Sequence, residues 1–181
     1  MKIRKIAYLS TLFAFLLPAL VVATVVISYT YTITSTPQPA TIYLTTGPNY
    51  NAASAMGLIT PGLSGIITSG TSIAINTVSG SYETALVNVL EVYNDTSSVK
   101  YPVYVTLYAP SISGLTMYAS TSPLTVTNSA SEILISGTPV STSGTTFQLT
   151  ASGAALYIGF LMTGSASGNA NFVINYQINS S

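Results

Sequence analysis

Two hydrophobic patterns follow each other near the start of the chain. Residues 6–28 form an apolar run without a charged side chain. From Ile27 to Thr34, apolar and polar residues alternate one by one, which is the period of an extended strand with one buried face. The apolar members of this alternation are Ile27, Tyr29, Tyr31 and Ile33. The pattern predicts a half-buried β-strand directly after the apolar run.

Short apolar or alternating segments continue to the end of the chain, separated by clusters of Gly, Pro, Asn and Ser. They are ATIYLTT, SIAINTV, ALVNVLEVY, YPVYVTLYA, LTMYA, LTVTN, EILIS, TFQLT, LYIGFLMT and NFVINYQIN. Such segments predict short strands, whereas NAASAMGLI favours only one turn of helix. Many short strands without a fixed repeat are typical of a β-sandwich. We therefore expect an all-β, jelly-roll-like β-sandwich over residues 40–181, preceded by an N-terminal strand extension.

Two pairs of neighbouring segments favour hairpins. ALVNVLEVY is expected to pair with YPVYVTLYA across the loop NDTSSVK, and ALYIGFLMT is expected to pair with NFVINYQIN across GSASGNA. The first hairpin places Glu91 opposite Lys100, where the two side chains form a cross-strand ion pair worth at most about 1 kcal/mol.

The N-terminus has the organisation of an export signal. Basic residues are concentrated in MKIRK, and the apolar run follows them. Val21 and Ala23 suit the minus-three and minus-one positions of a cleavage site before Thr24. We therefore expect residues 1–23 to be a cleaved signal peptide, so that the chain contacts a membrane only during export. The run also has the length of about 20 residues that spans a bilayer, and a membrane-anchored cell-surface or envelope-layer protein is the alternative.

Charge is scarce throughout the chain. Four Lys or Arg and four Asp or Glu side chains occur among 181 residues, with no Cys, His or Trp. Average soluble domains carry about 25% charged residues. Cleavage after Ala23 removes 23 residues from 181 and leaves 158, with one positive and four negative side chains, a net charge of minus three. This composition is typical of secreted, sheet-rich proteins, and it excludes disulfides and a basic surface for nucleic acid.

Catalytic chemistry has few candidate residues. A Ser-His-Asp triad needs a histidine, and the chain has none. The acidic side chains are Glu83, Glu91, Asp95 and Glu132, and their spacing brings no two of them to one glycosidic bond or to one Ca²⁺ ion. We therefore expect a protein that is not an enzyme and that binds neither a cofactor nor a metal.

Two asparagines lie in N-x-S/T sequences, which accept N-linked glycans. Asn94 begins NDT in the loop of the first expected hairpin, and Asn179 begins NSS at the C-terminus. Both are expected at the surface, where glycans replace the missing charge as a solubilising coat. An ordinary turn asparagine is the alternative at each position.

A spacer, STPQP, separates the alternating strand from the next predicted strand. Its two prolines favour an extended conformation and oppose a tight hairpin, so residues 24–39 combine a strand with a spacer that holds it away from its own domain. Such a strand suits addition to the sheet of another subunit. Because the donor and acceptor surfaces differ, the contact is head-to-tail and propagates as a filament. An ordinary first strand of the same domain is the alternative.

The export signal, the alternating strand after it and the segment LVNVLEVYNDTSSVKYPVYVTLY together resemble the archaeal bundling pilins, which are similar to the TasA-type biofilm matrix proteins. The resemblance implies an extracellular cell-surface fibre, a homopolymer joined by donor-strand complementation. It also implies lateral contacts between neighbouring filaments, which form bundles. The donor strand is then residues 24–34, and its entering side chains are Ile27, Tyr29, Tyr31 and Ile33.

Two other functions fit parts of the sequence. A type IV-type pilin is cleaved near its basic residues and retains its hydrophobic helix as the filament core. Lys5 and Ile6 resemble such a cleavage site, although the usual acidic residue of that helix is missing. A carbohydrate-binding sandwich is the other candidate, in which some of the 13 tyrosines serve as stacking platforms.

Overall fold

A computed structural model describes residues 42–76, 83–95, 103–129, 132–150, 153–164, 166, 168 and 171–178, all within the unit Pro39–Ser181. In chain order the elements are β1 (Ile42–Thr46), α1 (Tyr50–Ala55), β2 (Ile59–Thr60), β3 (Ile66–Ile67), β4 (Ala74–Ile75), β5 (Thr84–Asn94), β6 (Val103–Tyr108), β7 (Leu115–Ser120), β8 (Val126–Ser129), β9 (Glu132–Ile135), β10 (Thr138–Pro139), β11 (Thr145–Leu149), β12 (Ala155–Met162) and β13 (Val173–Ile178). Strands dominate these ranges, which confirms the all-β class predicted from the sequence.

Two antiparallel sheets contain most of these strands. The larger sheet has six strands in the order β10-β7-β12-β5-β1-β3, and the smaller has three in the order β11-β6-β13. The remaining strands form the two-stranded pairs β2 with β4 and β8 with β9. β5 is the longest strand, and it lies between β1 and β12 in the middle of the larger sheet.

One hydrophobic core receives side chains from both sheets. In β6 every second residue is fully buried, namely Val103, Val105 and Leu107. The inward residues of β12 are Leu156, Ile158, Phe160 and Met162. Alternate residues of the same strands, such as Tyr104 and Tyr157, are only half-buried. The period-two pattern therefore selects one inward face on each sheet, and the two faces pack together as in a β-sandwich.

The short helix α1 is anchored by its first residue. Tyr50 is fully buried, and its hydroxyl donates to the carbonyl of Pro61 over 2.7 Å. Burial raises the pKa of the Tyr50 hydroxyl above its ordinary value of 10.0. The helical turn predicted within NAASAMGLI is confirmed, and the helix begins one residue earlier, at Tyr50.

An irregularity in β5 is centred on Asn88, which has a φ of +54°. The Asn88 side-chain amide donates to the carbonyl of Leu124 over 2.9 Å, and its oxygen accepts from the backbone N–H of Leu124 over 2.7 Å. The backbone N–H of Gly47 donates to the carbonyl of Val89 over 2.8 Å, and that of Asn49 donates to the carbonyl of Asn88 over 3.1 Å. The turn after β1 and the loop after β7 are thereby both tied to the centre of the larger sheet.

Both predicted hairpins are wrong. β5 pairs with β1 and β12, whereas β6 pairs with β11 and β13, so these sequence neighbours lie in different sheets. β12 pairs with β5 and β7 and does not pair with β13. The predicted opposition of Glu91 and Lys100 is therefore also wrong, because the residues opposite Glu91 are Thr45 and Tyr157. Alternation specifies which face of a strand is buried, and it does not specify the partner strand. The jelly-roll strand order stays a prediction.

Candidate functional site

Most residues with a predicted role in cleavage, assembly or glycosylation lie outside the described residues. They are Ala23 and Thr24 at the cleavage site, Ile27, Tyr29, Tyr31 and Ile33 in the donor strand, and Asn179 in the second glycosylation sequence. Their roles stay predictions. The described residues belong to the β-sandwich that begins at Ile42. They show the surfaces that a partner could contact, namely the strand edges and the outer faces of the sheets.

Asn94, the last residue of β5, is not the exposed loop residue that the sequence predicts. Only 2% of its surface is exposed. Its backbone N–H donates to the carbonyl of Ala154 over 3.0 Å, and its carbonyl accepts from the N–H of Gly153 over 2.8 Å. The predicted surface location is therefore wrong at Asn94. Because an N-linked glycan is bulky and belongs on the surface, this burial opposes glycosylation of the folded domain.

The described part of the chain carries four carboxylates and no Lys or Arg. A carboxylate oxygen of Glu83 accepts from the backbone N–H of Ile133 over 3.2 Å, and Asp95 and Glu132 are exposed. Within the described ranges, no three His, Cys, Asp or Glu side chains gather where they would hold a metal ion. The same ranges contain no helix with the length and apolar character needed to cross a membrane.

The outer face of the larger sheet presents Glu91 among aromatic neighbours. Glu91 lies opposite Thr45 on one side and Tyr157 on the other, and all three side chains are half-buried. On the same face, Tyr93 lies opposite Tyr43. Desolvation raises the pKa of the Glu91 carboxyl above its ordinary value of 4.5. This face therefore combines tyrosine rings with a carboxyl group that holds its proton more tightly than a free one.

The outer face of the smaller sheet is neutral. Tyr104, Thr106 and Tyr108 of β6 lie on this face and border a shallow concavity of about 410 Å³. Thr146, Asn175 and Gln177 also line it, together with Tyr176, whose position in β13 is opposite the inward residue Val105. The hydroxyls of Thr106 and Thr146 are hydrogen-bonded over 2.8 Å. No residue of β6, β11 or β13 is charged, so this face offers aromatic stacking and neutral hydrogen bonds.

The two sheets differ in the protection of their edges. In the larger sheet, the edge strands β3 and β10 have two residues each, and Pro139 in β10 lacks a backbone N–H. In the smaller sheet, the edge strands β11 and β13 have five and six residues, and they contain neither proline nor a charged residue. Long edges without such protection are where a further strand can pair. Among the described strands, the smaller sheet is therefore the one open to strand addition.

Comparison with protein-family models and with curated proteins gives no match for the chain. The candidate site is therefore defined by the geometry of the sheets alone. The sequence predicts a donor strand, but it does not reveal the edges of the smaller sheet, because an edge is a property of strand order. The sequence feature that could have indicated these edges is the absence of charged residues and proline from TFQLT and NFVINYQIN.

Proposed function

We propose that the protein is the structural subunit of an extracellular filament, a pilus or biofilm matrix fibre. In this homopolymer, residues 24–34 of one subunit extend a sheet of the next by donor-strand complementation. The supporting observation is that an alternating strand precedes a domain whose smaller sheet has long, neutral edges in the described part of the chain. Such edges expose a protein to aggregation, and their retention is expected where strand addition is the function.

The donor strand supplies enough free energy for assembly. Burial of Ile27, Tyr29, Tyr31 and Ile33 contributes about 6 to 12 kcal/mol in total, at about 1.5 to 3 kcal/mol for each side chain. Each backbone hydrogen bond adds about 1 kcal/mol, net. These gains offset an association cost of about 4 to 15 kcal/mol for lost translational and rotational freedom.

Export and lateral association are further parts of the proposal. The basic and apolar N-terminus supports export, and the low charge supports a cell-surface location outside the cytoplasm. Two outer faces suit contacts between filaments, because the face of the smaller sheet is uncharged and that of the larger sheet is rich in tyrosine. The uncharged face of the smaller sheet associates without the repulsion that like charges cause.

Electron microscopy of material released from cells, combined with mass spectrometry of its N-terminus, tests the proposal. We expect filaments of this chain whose first residue is Thr24. A first residue near Ile6 would instead support a type IV-type pilin with a helical core. Extraction that depends on detergent would support a membrane-anchored surface protein. A chain that stays monomeric at high concentration and forms no filaments would refute the proposal.

Carbohydrate binding is a second candidate function, favoured by the concavity on the smaller sheet. Tyr104 offers an aromatic ring there, and Asn175 and Gln177 offer amide groups that bind sugar hydroxyls. Monomeric protein would then bind to a glycan array. Tyr104→Ala would abolish that binding, whereas the control Tyr118→Ala, on the other sheet, would leave it unchanged.

A further inference from the structure

The two edges of the smaller sheet allow a direct comparison. Thr146 of β11 and Asn175 of β13 both lie opposite Thr106 of β6. Gln148 and Gln177 both lie opposite Tyr104. Each residue of β11 therefore has a counterpart at the same level of β13. A difference in burial between counterparts reports how completely each edge is covered.

One inward side chain of β13, Tyr176, is less covered than its counterpart on β11, Phe147. Phe147 and Tyr176 both lie opposite Val105, which is fully buried. Phe147 is half-buried, whereas 47% of the surface of Tyr176 is exposed. Leu149, the next inward residue of β11, is 1% exposed. Because directly opposite residues share one face of a sheet, Tyr176 extends from the core face and is still uncovered.

β13 also lacks the features that protect sheet edges. Its sequence, VINYQI, contains no charged residue, proline or glycine. It pairs with β6 along its whole length, without a break in register from Val173 to Ile178. No other strand of the described ranges lies beside it. An uninterrupted edge with an uncovered aromatic side chain on the core face has the form of a sheet that lacks one strand.

We infer that the edge of β13 that has no neighbour among the described strands is the acceptor in the filament, and that its occupant is residues 24–34 of a second copy of this chain. This inference rests on the proposed function. In the occupied edge, apolar side chains of the donor cover Ile174 and Tyr176 from the side, and the backbone groups of β13 gain partners. Donor and acceptor strands are both uncharged, so no charge is buried when they pair.

The length of the spacer decides which subunit the donor strand can reach. Residues 35–41 lie between the donor and β1 and span at most about 25 Å when extended. Packed sheets lie about 10 Å apart, so this length permits insertion into the same subunit as well as into a neighbour. In the sequence, Pro37 and Pro39 favour an extended spacer and oppose a chain reversal, and this preference favours the neighbour.

Cysteine cross-linking of assembled filaments tests the acceptor, because the chain contains no cysteine. Thr30→Cys, on the face of the donor opposite its apolar side chains, is combined with Asn175→Cys or Gln177→Cys on β13. Matched controls combine it with Thr146→Cys or Gln148→Cys at the same levels of β11. Ser28→Cys and Thr32→Cys replace Thr30→Cys in parallel sets to allow for register. A short bismaleimide joins cysteines on adjacent strands, which lie about 5 Å apart.

We expect a ladder of covalent oligomers on denaturing gels with the β13 cysteines and none with the β11 cysteines. A ladder from β11 alone, or filaments that show no ladder with either strand, would overturn the acceptor assignment and leave the filament proposal intact. A cross-linked monomer would show that each subunit fills its own edge, which also overturns the inference. Absence of filaments from the unmodified chain would refute the proposed function itself, so the two failures are distinguishable.

Discussion

At the scale of single residues, Asn88 connects three parts of the fold. Its φ of +54° is one that asparagine adopts more readily than most residues with a side chain. Its amide satisfies both backbone groups of Leu124. Glycines leave room around it, since a Cβ at Gly47 would collide with the Asn88 carbonyl and one at Gly159 would lie 2.7 Å from the Leu86 carbonyl oxygen. Sequence alternation gave no sign of this arrangement, because Asn88 occupies an unremarkable place within ALVNVLEVY.

Asn88→Ala is expected to lower the free energy of unfolding by about 2 to 4 kcal/mol, because two buried backbone groups of Leu124 lose their partner. Urea denaturation of the purified protein measures this change. Asn128→Ala, at an exposed position of β8, is the control and should change stability by less than about 0.5 kcal/mol. Equal effects of the two substitutions would contradict the role assigned to Asn88.

Glu91 makes stability depend on pH. Its pKa is raised by desolvation, so the folded state binds the proton more tightly than the unfolded state does. Stability therefore falls as pH rises through the interval between 4.5 and the raised pKa, and it stays lower above that interval. We expect Glu91→Gln to raise the melting temperature at neutral pH and to reduce this pH dependence. Melting curves between acid and neutral pH measure both effects, with Glu132→Gln, at an exposed position, as the control.

At the scale of elements, the sequence predicts strands better than their partners. Each of the ten segments identified by alternation overlaps a strand of the structure. The strands that it missed, β2, β3 and β10, have two residues each, which is too short for a period to be detected. Partners were not predictable because β5 and β6 both alternate in the same way, whichever sheet they enter. The position of β13 at an edge among the described strands follows from that pairing, so it is known only once the sheet order is known.

Tyr176→Asp is expected to lower filament yield strongly and to leave the melting temperature of the monomer nearly unchanged. Tyr176 is largely exposed in the subunit, so the charge remains solvated until a donor strand covers it. Covering an unpaired carboxylate costs several kcal/mol, which lowers filament yield by about tenfold or more. The control is Gln177→Asp, which places the same charge on the outer face one residue along. Filament yield by electron microscopy measures the contrast, and equal yields would exclude β13 as the acceptor.

At the scale of the whole molecule, assembly and folding are expected to be separable. The hydrophobic core is formed by two sheets, and the first strand of these sheets, β1, begins at Ile42. Deletion of residues 24–34 should therefore leave a folded domain that does not polymerise. A synthetic peptide of residues 24–34 should raise its melting temperature, by a stabilisation of about 2.7 kcal/mol at 100 times the Kd.

Two variant peptides test which face of the donor strand is buried. Tyr29→Asp in the peptide should remove the stabilisation, whereas Thr30→Asp should retain most of it, because neighbouring residues of a strand lie on opposite faces. Filaments formed by the truncated protein, or a melting temperature that the native peptide does not change, would contradict donor-strand assembly.

In the proposed filament, the absence of charge from β13 would also affect the rate at which the filament grows. Electrostatic steering accelerates association only where partners carry complementary charge, and neither the donor segment nor this edge carries any. Elongation is therefore expected at the unsteered rate constant of about 10⁵ to 10⁶ M⁻¹s⁻¹, and it should be nearly the same in dilute buffer and in concentrated salt. Light scattering during growth at several ionic strengths measures this. Such a fibre would elongate equally well in fresh water and in saline water, and the concentration of free subunits would set its elongation rate.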